Sequence, residues 1–401
     1  MLAGRIITTA ILAATLTAAT ASTANASDDP LSGIDATLLA TADRILASAT
    51  PGSPLKVVTT TRTSGAPKIT SVVAASRSSA LDLILEGLSK PSTIGVDLAH
   101  SVTIDATNDT LRSSQWALNR FRAESVWQTS TGRGVLVAVV DTGVSASHPD
   151  LSGRVLRGRD FVGASSSGKD YNGHGTHVAG VIAAIANNGR GIAGLARSSR
   201  ILPVRVLNSA GSGDSAGVAR GIVWAVDNGA KVINLSLSSN RADSAGRAAV
   251  AYAVSKNVVV VAAAGNDGCG LFGSPRAYPA AYDGVLGVGA IASNGSTASY
   301  SSCGTWVDVV APGSGIVSTM LARPHSSLGC RPNYCVLSGT SMASPHAAAT
   351  AALEIARRGS RYNQATVRSL IRSTADDVGA AGYDTRTGTG VINPRRLLAP
   401  R

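Results

Sequence analysis

The chain has 401 residues, 44% of them hydrophobic and only 15% charged, with 43 glycines, a balance that excludes a disordered or coiled-coil protein and suits a buried sheet under closely packed helices. A single core stops growing at roughly 250–300 residues, so one large domain and a smaller one are expected. The net charge of +12 comes from 36 basic residues, 30 of them arginine and scattered along the chain, so no nucleic acid is expected as a partner.

Arg5 precedes an apolar run at 6–16, and Ala24-Asn25-Ala26 offers small residues for cleavage, the pattern of a secretory signal peptide over residues 1–26. The run is too short to span a bilayer, and nothing later approaches the roughly 20 apolar residues that a membrane helix requires, so a secreted, extracellular protein without stable membrane insertion is predicted. Residues 27–112 are rich in Ala, Ser and Thr, and all fifteen aromatic residues fall at or after Trp116. Within this leader, 55–61 and 69–74 read as strands and 81–88 as a helix, a small α+β module. A binding domain, a linker or a pro-segment would each fit.

From residue 134 the pattern changes. Apolar β-branched runs at 134–140, 201–207, 231–235, 258–263 and 285–291 are nearly continuous, as in strands buried on both faces. Helical patterns follow at 174–186, 214–228, 242–256, 341–358 and 364–375. The alternation predicts an α/β domain over 113–401, with a mostly parallel sheet and its functional residues at the carboxyl ends of the strands. The four cysteines, Cys269, Cys303, Cys330 and Cys335, form an even set in an exported chain, which favours two disulfides. Of three pairings, Cys330 with Cys335 and Cys269 with Cys303 is preferred, although spacing alone leaves the others open.

Four segments carry candidate chemistry. Asp141 is the first polar residue after the run 135–140, and a turn-capping aspartate is its bland alternative. Asn172-Gly-His-Gly-Thr-His-Val-Ala-Gly180 places His174 among glycines at the start of a helix, with His177 one turn later, packed or hydrogen-bonded inside. Asn266 follows the run 258–263. Ser341, in Ser338-Gly-Thr-Ser-Met-Ala-Ser-Pro-His346, opens a small-residue helix whose Pro345 is expected in the first turn, where amides lack helical partners. Ser341 as a mere N-cap is the commoner role. A nucleophile needs a base, an orienter for that base and donors for an oxyanion, and these segments supply all four. Competing chemistries fail on order or ligands: the only histidine after Ser341 is His346, which precedes any aspartate, and no H-E-x-x-H is present.

In the order Asp, His, Asn, Ser, the segments 138–144, 172–180, 263–266 and 339–346 resemble the subtilisin-like serine proteases, the subtilase family (peptidase family S8). The resemblance spans about 116–398. It implies a three-layer subtilisin-like fold preceded by a pro-segment, and a secreted serine endopeptidase made as a zymogen. It also implies Asp141, His174 and Ser341 as catalytic residues, with Asn266 and the Ser341 amide as oxyanion hole. Segments 209–213 and 234–238 would be edge strands that hold an extended peptide through Gly211, Ser212, Gly213, Ser236, Leu237 and Ser238, with Gly265 and Ala277 at the side-chain pocket. Subtilases usually carry glycine where Ser238 stands, which narrows that pocket, and a taste for uncharged or basic side chains is expected. No cofactor is required for the chemistry. A structural calcium ion at Asp150, Asn187 and Asn188 is implied, although Arg190 in that loop departs from the family pattern. The remaining expected partners are protein or peptide substrates and the chain's own propeptide, cleaved between Asp105 and Gln115, and the enzyme is expected to be a monomer. A catalytically silent binding or scaffold protein on the same fold is the alternative.

Overall fold

The apolar runs become strands whose side chains alternate between two cores. In β4 (Leu136–Asp141), Val137 and Val139 pack into one hydrophobic cluster and Ala138 and Val140 into the other, on opposite faces. All four are fully buried, and the valines are each worth roughly 1.5–3 kcal/mol of burial. The computed structural model describes residues 35–49, 54–99, 107–163, 167–271 and 273–400, and the expected signal peptide at 1–26 lies outside them.

The chain divides into two compact units, Met1–Thr103 and Ile104–Arg401. The first contains α1 (Ala36–Ala47), β1 (Lys56–Thr61), β2 (Lys68–Val73), α2 (Arg77–Ser89) and β3 (Thr93–Leu98). Its strands form an antiparallel sheet in the order β2-β1-β3, and α1 and α2 bury Leu46 and Ile84 with Val57 and Val96. Ser76 and Ser79 cap the start of α2 reciprocally. Ile69 and Val73 stay exposed, at 69% and 61%, on strand β2.

The second unit contains α3 (Trp116–Phe121), α4 (Ala123–Thr129), β4, β5 (Arg159–Asp160), α5 (His174–Ala183), β6 (Arg200–Arg205), α6 (Ser215–Asp227), β7 (Val232–Leu235), α7 (Ser244–Ser255), β8 (Val259–Ala263), β9 (Val285–Ile291) and β10 (Val309–Pro312). The hairpin β11 (Ile316–Thr319) and β12 (Tyr334–Leu337) follows, then α8 (Thr340–Arg358), α9 (Gln364–Ser373) and α10 (Pro394–Leu397). Seven strands make one parallel sheet in the order β10-β9-β8-β7-β4-β6-β5. Residues of α5, α8 and α9 enter one core and residues of α6 and α7 the other, which gives helix, sheet and helix layers.

Several expectations are corrected. The helix predicted over 174–186 stops at Ala183, because Ala184 turns extended (φ −54°, ψ 142°) and the Ile185 amide donates to the Asp150 carbonyl. Residues 209–213 are not a strand. Asn208 Oδ1 accepts from the amides of Ala210 and Ser212 and folds the segment into a side-chain-closed turn. The strand at 234–238 ends at Leu235, so Ser236, Leu237 and Ser238 continue beyond the sheet. The compositional boundary near residue 110 lies inside the second unit, since Leu111 donates to the Gly191 carbonyl and Asp109 binds the 187–188 amides.

Candidate active site

Asp141 closes β4 with its side chain wholly buried, and His174 opens α5 with its side chain 20% exposed. The imidazole Nδ1 lies 2.8 and 3.0 Å from the two Asp141 carboxylate oxygens. Glycines allow this approach: a Cβ on Gly175 would stand 3.1 Å from Asp141 Oδ1 and overlap the Gly143 carbonyl. Gly173, with φ 117°, supplies the left-handed turn into α5. Burial disfavours the His174 imidazolium, but the Asp141 charge and hydrogen bond prevail, and the pKa is raised above the ordinary 6.5.

A carboxylate missed from the sequence organises this corner. Asp170 is 3% exposed, and its Oδ1 accepts from the Thr142 hydroxyl and the amides of Asn172 and Gly173. Its Oδ2 accepts from the amide and hydroxyl of Thr176. One buried side chain thus joins the residue after Asp141 to both sides of His174. Burial raises the Asp170 pKa against the opposing hydrogen bonds from Thr176, Asn172 and Gly173. The only sequence signal was an aspartate four residues before a histidine that starts a helix.

His177 sits one turn on, fully buried, and its Nε2 lies 3.0 Å from the Ile316 carbonyl and 3.1 Å from that of Cys335. Burial drives its pKa down to about 3, so it is a neutral tie to the β11–β12 hairpin. His346 is likewise buried and lowered to about 4.

Ser341 is the second residue of α8, whose N-cap is Gly339. Pro345 is the sixth, beyond the first turn where the sequence reading put it, so the Ser341 carbonyl loses its helical donor. The Ser236 hydroxyl replaces that donor at 2.7 Å. Ser236 Oγ in turn accepts from Asn234 Nδ2 at 2.9 Å, and Asn234 Oδ1 accepts from the Ser344 hydroxyl at 2.8 Å. This buried relay fixes the start of α8 to the end of β7. The Ser341 hydroxyl donates to the Ser236 carbonyl at 3.1 Å.

Asn266 follows β8. Its Oδ1 accepts from the Thr340 amide at 2.9 Å and the Thr340 hydroxyl at 3.0 Å, which commits the oxygen and leaves Nδ2 as a donor. A Cβ on Gly339 would stand 3.6 Å from the Ser341 amide nitrogen and 3.7 Å from Asn266 Nδ2. The missing side chain therefore leaves open a spot that two N–H donors border.

A cleft of about 500 Å³ is lined by His174, Asn172, Gly211, Ser212, Gly213, Ser236, Leu237 and Ser238, with Val218, Ile222 and Tyr282 supplying apolar surface; Ser341 and Asn266 are not among its lining residues. Gly265 and Ala277 do not line it but are neighbours, as a Cβ on Gly265 would lie 3.3 Å from that of Ala277. Cys269 pairs with Cys303 and Cys330 with Cys335. Among the described residues no helix is long and apolar enough to cross a membrane.

Asp150 is fully buried and accepts from Asn188 Nδ2, the Ile192 amide and the Tyr334 hydroxyl. Asp109, which the sequence reading missed, accepts from the amides of Asn187 and Asn188. Neither carboxylate forms a salt bridge among the described residues. Both buried carboxylates, from separate segments, thus bind the 187–192 loop, and the Arg197 charge interacts favourably with Asp109. No cluster of three or more His, Cys, Asp or Glu suited to a metal occurs among the described residues.

The chain is similar to known proteins. The Peptidase S8 subtilase family pattern matches residues 132–390. Thermitase of Thermoactinomyces vulgaris is 45% identical over 286 residues, covering 71% of this chain and 96% of thermitase. Subtilisin Savinase of Lederbergia lenta is 41% identical over 283 residues, 70% of this chain and 97% of that protein. A solved structure described as proteases from Pseudoalteromonas arctica PAMC 21717 superposes with a TM-score of 0.67 at 32% identity, covering 73% of this chain and 99% of that one. With the family pattern spanning most of the chain and two relatives above 40% identity, the chain belongs to the subtilase family and is a serine-type endopeptidase.

Proposed function

We propose that the chain is a secreted endopeptidase, made as a zymogen, that hydrolyses peptide bonds in proteins through Ser341, His174 and Asp141. The observation that carries the reading is the buried Asp141 carboxylate holding His174 Nδ1 at 2.8 Å, which leaves Nε2 free to take a proton. Catalysis in this reading requires the Ser341 hydroxyl to exchange its bond to the Ser236 carbonyl, 3.1 Å long, for one to the imidazole. Ser341 Oγ attacks the scissile carbonyl carbon, and its proton passes to His174 Nε2. The carbonyl oxygen, now an anion, accepts from Asn266 Nδ2 and the Ser341 amide beside Gly339. Collapse breaks the C–N bond, and His174 returns the proton to the leaving amine. Water then cleaves the acyl-enzyme with His174 again as base. The α8 dipole adds to the stabilisation of the anion.

The segment expected at 27–112, shortened to end before Asp109, acts in this reading as propeptide, inhibitor and folding aid. Its support is a hydrophobic core of its own within the first compact unit. Cleavage falls before Asp109, whose side chain is tied into the 187–188 loop. Export is supported by the leader's signal-like start and by two disulfides. Asp109, Asp150 and Asn188 would hold a structural calcium ion that takes no part in the chemistry, and titration calorimetry without a calcium signal removes it. With Ser238 lining the cleft, a modest preference for uncharged or basic substrate side chains belongs to this reading, and peptide profiling that prefers acidic ones overturns it.

A fluorophosphonate probe tests the central reading. Labelling of processed protein at Ser341, abolished in Ser341→Ala, is expected. A correctly processed wild-type chain that takes no label is the silent scaffold instead.

A further inference from the structure

The hairpin between β11 and β12 has no part in the roles above. Its base is firmly tied, since Ile316–Thr319 pairs antiparallel with Tyr334–Leu337, and the Met320 amide donates to the Asn333 carbonyl at 2.6 Å. Three side chains of the main body hold it: His177 at the Cys335 carbonyl, His148 at the Asn333 carbonyl (2.8 Å) and Asp150 at the Tyr334 hydroxyl (3.1 Å). The Cys330–Cys335 disulfide closes residues 330–335 onto β12, just after Leu328. The His325 amide donates to the Asn172 carbonyl at 2.8 Å, and Asn172 Oδ1 accepts from the His174 amide at 3.0 Å. One residue therefore links the hairpin to the helix start that carries the imidazole.

Ser327 and Leu328 line the same cleft as Asn172 and His174. Leu328 is half-buried, and its Cδ1 lies 3.3 Å from where a Cβ on Gly173 would stand. We propose that Leu328, held in place by the disulfide-closed hairpin, sets the size of the substrate side chain accepted beside His174, admitting compact residues and turning bulky ones away. The inference rests on the protease reading of the cleft. A bulky side chain beside the imidazole must displace Leu328, whose retreat is limited on one side by the His325–Asn172 hydrogen bond and on the other by the disulfide that begins two residues later.

The test compares wild type, Leu328→Ala, Leu328→Phe and the double variant Cys330→Ser/Cys335→Ser on peptides carrying Ala, Phe or Trp at each position flanking the scissile bond. In Leu328→Ala, kcat/KM for Phe and Trp peptides relative to Ala peptides should rise about tenfold at one of these positions, the scale of one or two methylenes in a pocket. Turnover of the Ala peptides should stay within about twofold, and Leu328→Phe should move the ratio the other way. The double cysteine variant should follow Leu328→Ala. Fluorophosphonate labelling separates the two readings: an unlabelled wild type defeats the protease reading itself. Full labelling with the same Phe-to-Ala ratio in every variant overturns the role of Leu328. Should Leu328→Ala fail to mature, the direction of the shift in Leu328→Phe decides.

Discussion

The segments that present His174 and Ser341 both start helices at the carboxyl end of the sheet, yet they are held by opposite means. Asp170, a buried carboxylate, collects five donors around the turn into α5. The start of α8 is held instead by the neutral relay Ser344, Asn234, Ser236, which ends on the carbonyl that Pro345 leaves without a helical donor. The difference follows from what each segment must satisfy. A tight glycine turn exposes several amides at once, for which one anion with two oxygens is the compact solution. A proline in a helix frees a single acceptor, for which one hydroxyl suffices.

Removing the charge beside His174 is the largest perturbation. Asp141→Asn should lower kcat by about ten-thousandfold through the wrong imidazole tautomer, a magnitude known from serine proteases of another fold. It should also move the acid limb of the pH–rate profile. The raised His174 pKa means the protonated form is favoured in the folded enzyme, so activity, which needs the neutral imidazole, should rise with pH only above the ordinary 6.5. Without the Asp141 charge, burial is opposed only by the smaller effect of the Asp170 charge, and the limb should shift to lower pH. An unmoved limb would assign it to another group.

Deleting each anchor sharpens the contrast. Asp170→Ala strands five donors and should destabilise the fold by on the order of 5 kcal/mol, read as failure to mature or a large fall in Tm. Ser236→Ala strands the Ser341 carbonyl and one Asn234 donor, and should cost about 2 kcal/mol. Its kcat should fall more than its KM rises, because the Ser341 backbone shifts, and Ser236→Thr should restore both. Equal losses in the two alanine variants would erase the distinction between a charged and a neutral anchor.

The smallest effect separates the histidines. His177 and His346, lowered to about 3 and about 4, stay neutral when folded but take up protons when unfolded, so their contribution is complete above pH 6.5 and is lost as the pH falls from there toward 4. His174, with its raised pKa, contributes in the opposite sense, most below pH 6.5 and less as the pH climbs through its folded value. Tm measured from pH 7 to 4 should therefore fall, and more weakly in His177→Asn if that variant folds. A flat curve would contradict the buried neutral assignments.

Buried β-branched runs made the five central strands legible, because continuous apolarity is what a doubly covered sheet demands, and the glycines around His174 announced a close approach. The short strands Arg159–Asp160, Val309–Pro312, Ile316–Thr319 and Tyr334–Leu337 were not legible, because four residues or fewer beside glycine and proline carry no period. In the leader, α1 and β3 escaped for want of a marked pattern, while β1, β2 and α2 lie where the sequence suggested. Asp170, Asp109 and the Ser236 relay were invisible for a different reason. Their partners are chosen in space, 28 residues apart for Thr142 and Asp170 and 105 for Ser236 and Ser341, and no local spacing records that choice.

The central claim is that His174 and Ser341 act as one device, and a double-variant comparison tests it most directly. Ser341→Ala should lower kcat by roughly a millionfold, a size known from subtilisin, and His174→Ala by a similar factor. The combined variant should be no worse than either within a few-fold. Losses that instead multiply would mean that the two side chains act independently.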